Sequence, residues 1–506
     1  MAPSLRPAGK NHTATAADII NSIVSQLSSI DLAYSLPSVR RLLSLLARLQ
    51  PDHVATLLPM FLQNASPAEA AVLWATQAEN LTNQPEEALA TLQRARASTA
   101  TDCWVWGAIG RAEARLGLDP AVALTRAQEA AHYPEAHPLF SDLLAIPDLD
   151  RALELLQLLS PPPPDTDTTH YTNLCAALYE AGRLSEILPI IQQHRDILVQ
   201  ATILRSATEA PIRAQDVDAV FLITTACPAA YRSDLLEAVV LQWIDSGRIG
   251  AAHRVLQHWG ETSPGNVIRL GMLAMLGDEA ATDALKAELE ERLEVEEVAW
   301  HDTWRYQDLG RACGWAGDLG GTLAALERVV DHEDRMTALL SAVRYAPLTA
   351  REPLLCAARG LAASMQDDRH RAESVGHLAA LQVDLGRRRA GLTQLEEASR
   401  LAIGVRRPRS NQGFARRSAL ESVIADQLHS EDNLGAFRTT RKLRTRHMRN
   451  PHLTTIAHRY ATMGDLGGVM CCLENMHPDI SRVEAGTEAL HIWLAAGQPV
   501  ITTEAA

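Results

Sequence analysis

A glycine followed by a polar residue keeps returning between two apolar-periodic stretches. It occurs at Gly182-Arg183, Gly247-Arg248, Gly277-Asp278, Gly317-Asp318, Gly386-Arg387, Gly464-Asp465 and Gly497, and Gly117 takes the same place before Leu118. Weaker turn signals fall between these marks, at Asn83 to Pro85, Pro147-Asp148, Asp216, Pro347 and Asp432. Neighbouring marks lie 30 to 46 residues apart. The mean is about 34 to 35, the length of one supersecondary unit in a repeat array. A chain punctuated in this way is expected to stack small units in a line.

Each mark has the chemistry of a helix-to-helix turn. Glycine tolerates the left-handed backbone that ends a helix. An aspartate after it can cap the next helix by accepting a backbone N–H. Gly317-Asp318 and Gly464-Asp465 combine both functions in two residues. So short a turn forces the two helices antiparallel.

The flanking stretches have helical period. After Asn83 the apolar residues are Ala88, Leu89, Leu92 and Ala95, one stripe along a helix. Pro85 suits a first helical turn, and Glu86 and Glu87 suit the positive end of the dipole. After Gly386, residues Gly391, Leu395 and Ala398 share one face. Composition agrees: 47% of residues are hydrophobic but only 4% aromatic, and alanine and leucine, both good helix formers, fill the difference. The expected fold class is all-α, an α-solenoid of about 12 to 14 antiparallel helix–turn–helix repeats.

The period near 34 and the rhythm small–x3–large–x2–small resemble the tetratricopeptide repeat. Leu309-Gly310, Gly317 and Leu326 fit its pattern in one unit; Ala88, Leu92 and Ala95 fit in another; Tyr460 and Gly464 fit in a third. The resemblance spans roughly residues 65 to 497 with degenerate copies, most of which lack the family's Trp, Tyr and closing Pro. It implies a right-handed superhelix whose first helices line a groove. Residues placed inward by that rule are Asn80, Trp104, Arg111, Tyr179, Trp304, Gln307, Arg311 and His458. Trp, Tyr and Arg are types that anchor interfaces, although a core role or packing between repeats is the more ordinary use for each of them.

Breaks in the pattern set the expected organisation. Residues 1–13 are polar with Pro3 and Pro7, and are expected to be disordered. They lack the apolar core of a secretory signal. Pro161 to Pro164, followed by Asp-Thr-Asp-Thr-Thr, separates an N-terminal block 14–160 from a block 165–506, or forms a loop in one solenoid over 14–500. Seven cysteines without a CxxC pair read as reduced, buried thiols. Without an apolar run long enough for a membrane helix, the expectation is a cytoplasmic protein.

The net charge is −14, unevenly spread. Between 387 and 449 there are 15 Arg and Lys against 6 Asp and Glu. Arg406, Arg407 and Arg409 on a loop, with Arg441, Lys442, Arg444 and Arg446, are candidate anion contacts. From Asp278 to Asp302 ten acids face only Lys286 and Arg292. Solvated helix faces would also explain both stretches.

Catalytic signatures are missing. There is no GxxxxGK[ST], no GxGxxG after a strand, no HExxH and no GxSxG. His447, His452, His458 and His477 with Cys471-Cys472 could meet in a metal site only through folding. The sequence therefore predicts no enzyme, no cofactor and no metal. It points to a scaffold or adaptor that binds another protein or peptide. Alternatives are RNA binding through 387–449, a peptide- or ligand-sensing solenoid, and self-association.

Overall fold

The computed structural model describes residues 15–27, 32–49, 51–81, 83–98, 102–130, 149–150, 152–153, 169–193, 196–259, 266–294, 303–405, 414–477 and 480–496. Among them every regular element is a helix. The first seven are α1 (Ala16–Leu27), α2 (Leu32–Leu49), α3 (Pro51–Asn64), α4 (Pro67–Asn80), α5 (Pro85–Arg96), α6 (Cys103–Arg115) and α7 (Ala121–Glu129). Then come α8 (Thr169–Glu180), a 3-10 turn Leu184–Glu186, α9 (Leu188–Gln192), α10 (Ile197–Ala207), α11 (Glu209–Ala214), α12 (Val217–Ala226), α13 (Ala229–Asp245) and α14 (Ile249–His258). The rest are α15 (Asn266–Met275), α16 (Glu279–Leu293), α17 (Thr303–Trp315), α18 (Leu319–Glu327), α19 (His332–Tyr345), α20 (Leu348–Ser364), α21 (Asp368–Asp384), α22 (Arg388–Gly404), α23 (Phe414–His429), α24 (Asn433–Thr440), α25 (Arg446–Thr462), α26 (Leu466–Asn475) and α27 (Ile480–Ala495).

The helices group into two compact units. One holds the described residues between 31 and 259; the other holds those from 260 onward together with α1. The proline run Pro161 to Pro164 lies outside the described residues, as does Gly497. Within each unit the helices pair into antiparallel hairpins that stack, the all-α solenoid arrangement the turn spacing predicts. In the second unit the first helices stack from α15 through α17, α19 and α21 to α23, and α25 stacks on α27.

One turn recurs. Gly117, Gly182, Gly247, Gly277, Gly317, Gly386 and Gly464 all have positive φ. The residue after each donates its N–H to the carbonyl five positions back, as Asp318 does to Cys313 at 2.9 Å and Asp465 to Tyr460 at 2.8 Å. Asp278, Asp318 and Asp465 then cap the next helix, each accepting the N–H three residues on at 2.9 to 3.0 Å. Two turns do this without glycine. Gln215 at φ 60° and Glu431 at φ 58° precede the capping residues Asp216 and Asp432.

Packing follows from small residues at crossings. A Cβ on Gly271 would stand 2.5 Å from the Ala312 Cβ, and one on Gly314 would stand 2.4 Å from that of Ala342. These glycines bring α15, α17 and α19 together along the stack. Ala88, Leu92 and Ala95 are buried as the stripe predicts, but Leu89 is largely exposed. One position off the stripe turns a side chain through about 100° on a helix, which takes Leu89 off the buried face. In the first unit two consecutive hairpins repeat a stacking pair: Arg94 over Trp74 at 5.1 Å, and Arg126 over Trp106 at 4.6 Å.

The N-terminal helix closes the far end of the second unit. α1 packs on α27 and α26. Arg482 donates to Ser22 Oγ at 2.9 Å, and Ile23 fills the space above Gly486. The apolar end that the last repeat would otherwise leave bare is thus covered by the chain's own first helix.

The thiols are only partly as expected. Cys103, Cys175, Cys227, Cys313 and Cys472 are buried and free, whereas Cys356 is exposed and Cys471 half-buried. Burial holds the Cys472 thiol well above its ordinary pKa, which keeps it protonated and unreactive.

Candidate interaction surface

In the second unit, histidine and carboxylate side chains of successive first helices face one another from α19 to α27. Glu333 on α19 meets His370 on α21 at 2.6 Å. His377 and Asp384 on α21 meet Asp426 and His429 on α23 at 3.0 and 2.8 Å. Glu421 on α23 faces His452 on α25, and His458 on α25 faces Glu488 on α27, each at 3.8 Å. Every successive step from α19 to α27 therefore carries at least one such pair. Arg344 extends the series from α19 to Asp384 at 3.4 Å.

The environments of these pairs differ. The hydrogen bond to Asp426 raises the pKa of His377 above its ordinary value. Burial raises that of Asp426, against the opposing pull of His377. His452 and His458 are lowered, because burial disfavours their charged forms.

Two clefts open on this face. The larger, of about 840 Å³, lies at the N-terminal ends of α17, α19 and α21. Its walls include Thr303, Val330, Glu333, Asp334, Met365 and His370. Asp331 and Asp367 cap α19 and α21 at its rim, each accepting two backbone N–H groups. Val330 is 72% exposed, and Trp304, next to Thr303, is 46% exposed with the Arg305 guanidinium 5.4 Å from its ring. The smaller cleft, of about 350 Å³, is lined by Arg344, His377, Asp384, Asp426 and His429 among others.

The residues that the repeat pattern placed inward fall in both units. In the first, Arg111 on α6 is bonded to Glu79 on α4 at 2.7 Å, so its charge serves the stack. Tyr179 donates to Asp216 at 3.3 Å across neighbouring repeats. Asn80 and Trp104 are half-buried. In the second unit Trp304, Gln307 and Arg311 lie along one face of α17, with Arg311 3.4 Å from Asp308 and 5.2 Å from the Trp315 ring. His458 is half-buried in the histidine series. Of these residues Trp304 adjoins the larger cleft, next to Thr303 in its wall. The signal missed in the sequence was the His and carboxylate content of the first helices.

The basic candidates divide. Arg406, Arg407 and Arg409 lie outside the described residues. Arg441, Lys442, Arg444 and Arg446 are all exposed on the turn from α24 to α25, and none has an ion pair among the described residues. Arg438 precedes them on the last turn of α24. Arg449 folds the turn by donating twice to the Leu443 carbonyl, at 2.9 and 2.7 Å. From Asn433 to Gly464 the sequence holds no acid at all. The histidines and cysteines that could have met in a metal site, where none was expected, do not form a metal-ligating group among the described residues; the group that comes together there is Glu333, His370 and Glu373.

Among the described residues no helix is long and apolar enough to cross a membrane. No protein-family profile matches the chain. No curated protein matches it either. Among solved structures it is similar to a "Circular tandem repeat protein with novel repeat topology and enhanced subunit contact surfaces", at 14% identity over 96% of this chain and 100% of that one. The TM-score is 0.18, too low to carry an argument about shape or role.

Proposed function

We propose that the chain is a non-catalytic, cytoplasmic scaffold that holds a segment of a partner protein on the stacked first helices of its second unit. The larger cleft carries this reading. Its volume of about 840 Å³ suits a few side chains of a bound segment. Its carboxylates at Asp331, Glu333, Asp334 and Asp367 stand beside exposed Val330 and Trp304. That pairing fits a segment with basic residues next to an apolar anchor, since buried anchors supply affinity and complementary charge supplies selectivity.

The test is a tagged pull-down from nuclease-treated lysate with three proteins side by side: the natural chain, a Glu333→Lys/Asp334→Lys variant and an Arg441→Ser/Lys442→Ser variant. A stoichiometric protein kept by the first and third but released by the second supports the proposal. A partner held equally by all three sinks it.

The unpaired cations of the α24–α25 turn favour a second reading, binding of nucleic acid, RNA first. Clustered arginines without carboxylate partners are free to neutralise phosphates. Binding through them must weaken steeply between about 50 and 200 mM salt, because counterion release sets the slope. A flat salt response defeats it.

A further inference from the structure

We infer that Glu333, His370 and Glu373 form a divalent-metal site of the zinc class that ties α19 to α21. One ligand atom from each lies within 4.8 Å of the others. His370 and Glu373 are three apart on α21, so both project from one face. Glu333 reaches them from the first turn of α19.

The carboxylate of Glu373 is already oriented. Its Oε1 accepts from Arg369 Nε and from Ser418 Oγ, both at 2.9 Å. Those bonds occupy one oxygen and leave Oε2 for an ion, which is how outer partners fix a metal-bound carboxylate. His370 Nε2 lies 2.6 Å from Glu333 Oε1. A metal would replace the proton between them, leaving the imidazole neutral as a ligand must be.

The adjustment needed is small. Zinc takes His nitrogen and carboxylate oxygen at about 2.0 to 2.2 Å, so tetrahedral ligands sit roughly 3.3 Å apart. The Glu333–His370 pair opens by less than about 1 Å and Glu373 moves inward, from the first turn of one helix and an interior face of the next. The cleft of about 840 Å³ on this wall leaves room for water or a partner's side chain in the remaining position. The surrounding charge is mostly acidic: Asp331, Asp334 and Asp367 line the same cleft and Arg371 is held on Asp368, while the Arg369 guanidinium on Glu373 is the cation a metal would have to sit beside. An imidazole with two carboxylates selects against magnesium and calcium, which prefer all-oxygen shells.

The experiment is a cobalt titration of the chelator-stripped full chain, read by the visible absorption of the ion and followed by zinc competition. The expected result is about one equivalent bound, displaced by zinc, and lost in His370→Ala and Glu373→Gln. Zinc should also raise the Tm of the natural protein through binding to the folded state alone, and leave the variants unmoved. Glu333→Gln, a near-isosteric change at an exposed position, keeps the test valid if the other variants fail to fold. Absence of a cobalt spectrum in the natural chain, or equal binding by folded variants, overturns the site.

Discussion

His377 Nδ1 lies 3.0 Å from Asp426 Oδ1, joining α21 to α23 across the stack of first helices. The Asp426 carboxylate is buried, and its second oxygen occupies the space above Gly376, where a Cβ would stand 2.5 Å from it. The missing side chain of Gly376 is what admits the carboxylate between the two helices.

This pair makes stability depend on pH in a stated direction. His377 is raised in the folded protein, first by its hydrogen bond to Asp426. A raised histidine stabilises fully below its unfolded pKa, and that contribution is lost as pH rises through the folded value. Thermal denaturation of the natural chain and of His377→Gln should therefore differ most below the ordinary imidazole pKa of about 6.5 and converge as pH rises through the raised folded value. A gap that widens with pH would contradict the assignment. Gly376→Ala should abolish the pH-dependent difference by displacing the carboxylate.

The two turns without glycine are sites of avoidable strain. Gln215 and Glu431 adopt φ 60° and 58°, which costs a side-chain-bearing residue about 1 to 2 kcal/mol. Gln215→Gly and Glu431→Gly should each raise stability by up to about 1 kcal/mol after the extra backbone entropy of glycine is subtracted. Asp318→Ala, which removes the cap on Gly321 N, should lower it by about 1 kcal/mol. Urea midpoints at constant m-value would check all three.

Much of the fold was legible because its punctuation is local. A glycine in the left-handed region shows in one residue and an aspartate cap in the next; seven of the marked glycines have positive φ, and three of them precede a capping aspartate. Gln215 and Glu431 show that the turn can form without glycine, and there the capping residues Asp216 and Asp432 were the mark that the sequence carried. The histidine series was illegible because its partners are far apart: His377 and Asp426 are separated by 49 positions, and Asp384 and His429 by 45. Which residues meet then depends on hairpin length, which degenerate repeats do not hold constant. The position of α1 was illegible for a related reason. Its sequence shows an amphipathic helix but carries no information about which unit it covers.

Helical glycines should divide by what surrounds them. A Cβ added to Gly271 would stand 2.6 Å from Ala312 Cα, and one added to Gly314 would stand 2.4 Å from Ala342 Cβ, both on the next first helix. Alanine at either must push two helices apart, at about 1 to 3 kcal/mol. A Cβ added to Gly360, inside α20, would meet nothing within 4 Å beyond its own helix backbone. Gly360→Ala should stabilise by about 0.5 to 1 kcal/mol through helix propensity alone. Calorimetry that found the same sign at Gly314 and Gly360 would refute the close-packed stack.

The cap formed by α1 can be tested by removing its anchor. Ile23 is buried, and its side chain lies 2.8 Å from where a Cβ on Gly486 would be. Ile23→Ala should cost about 2 to 5 kcal/mol if this contact is as well packed as an ordinary core. Ile23→Asp should release α1 from α27, since an unpaired buried charge is worse than a cavity. The exposed face of α27 would then seek another apolar surface, so light scattering should show association that rises with concentration. An Arg482→Ala variant should be milder, because it removes a hydrogen bond to Ser22 and leaves the apolar contact in place. If Ile23→Asp scatters light as the natural chain does and has an unchanged Tm, α1 is not what closes this unit.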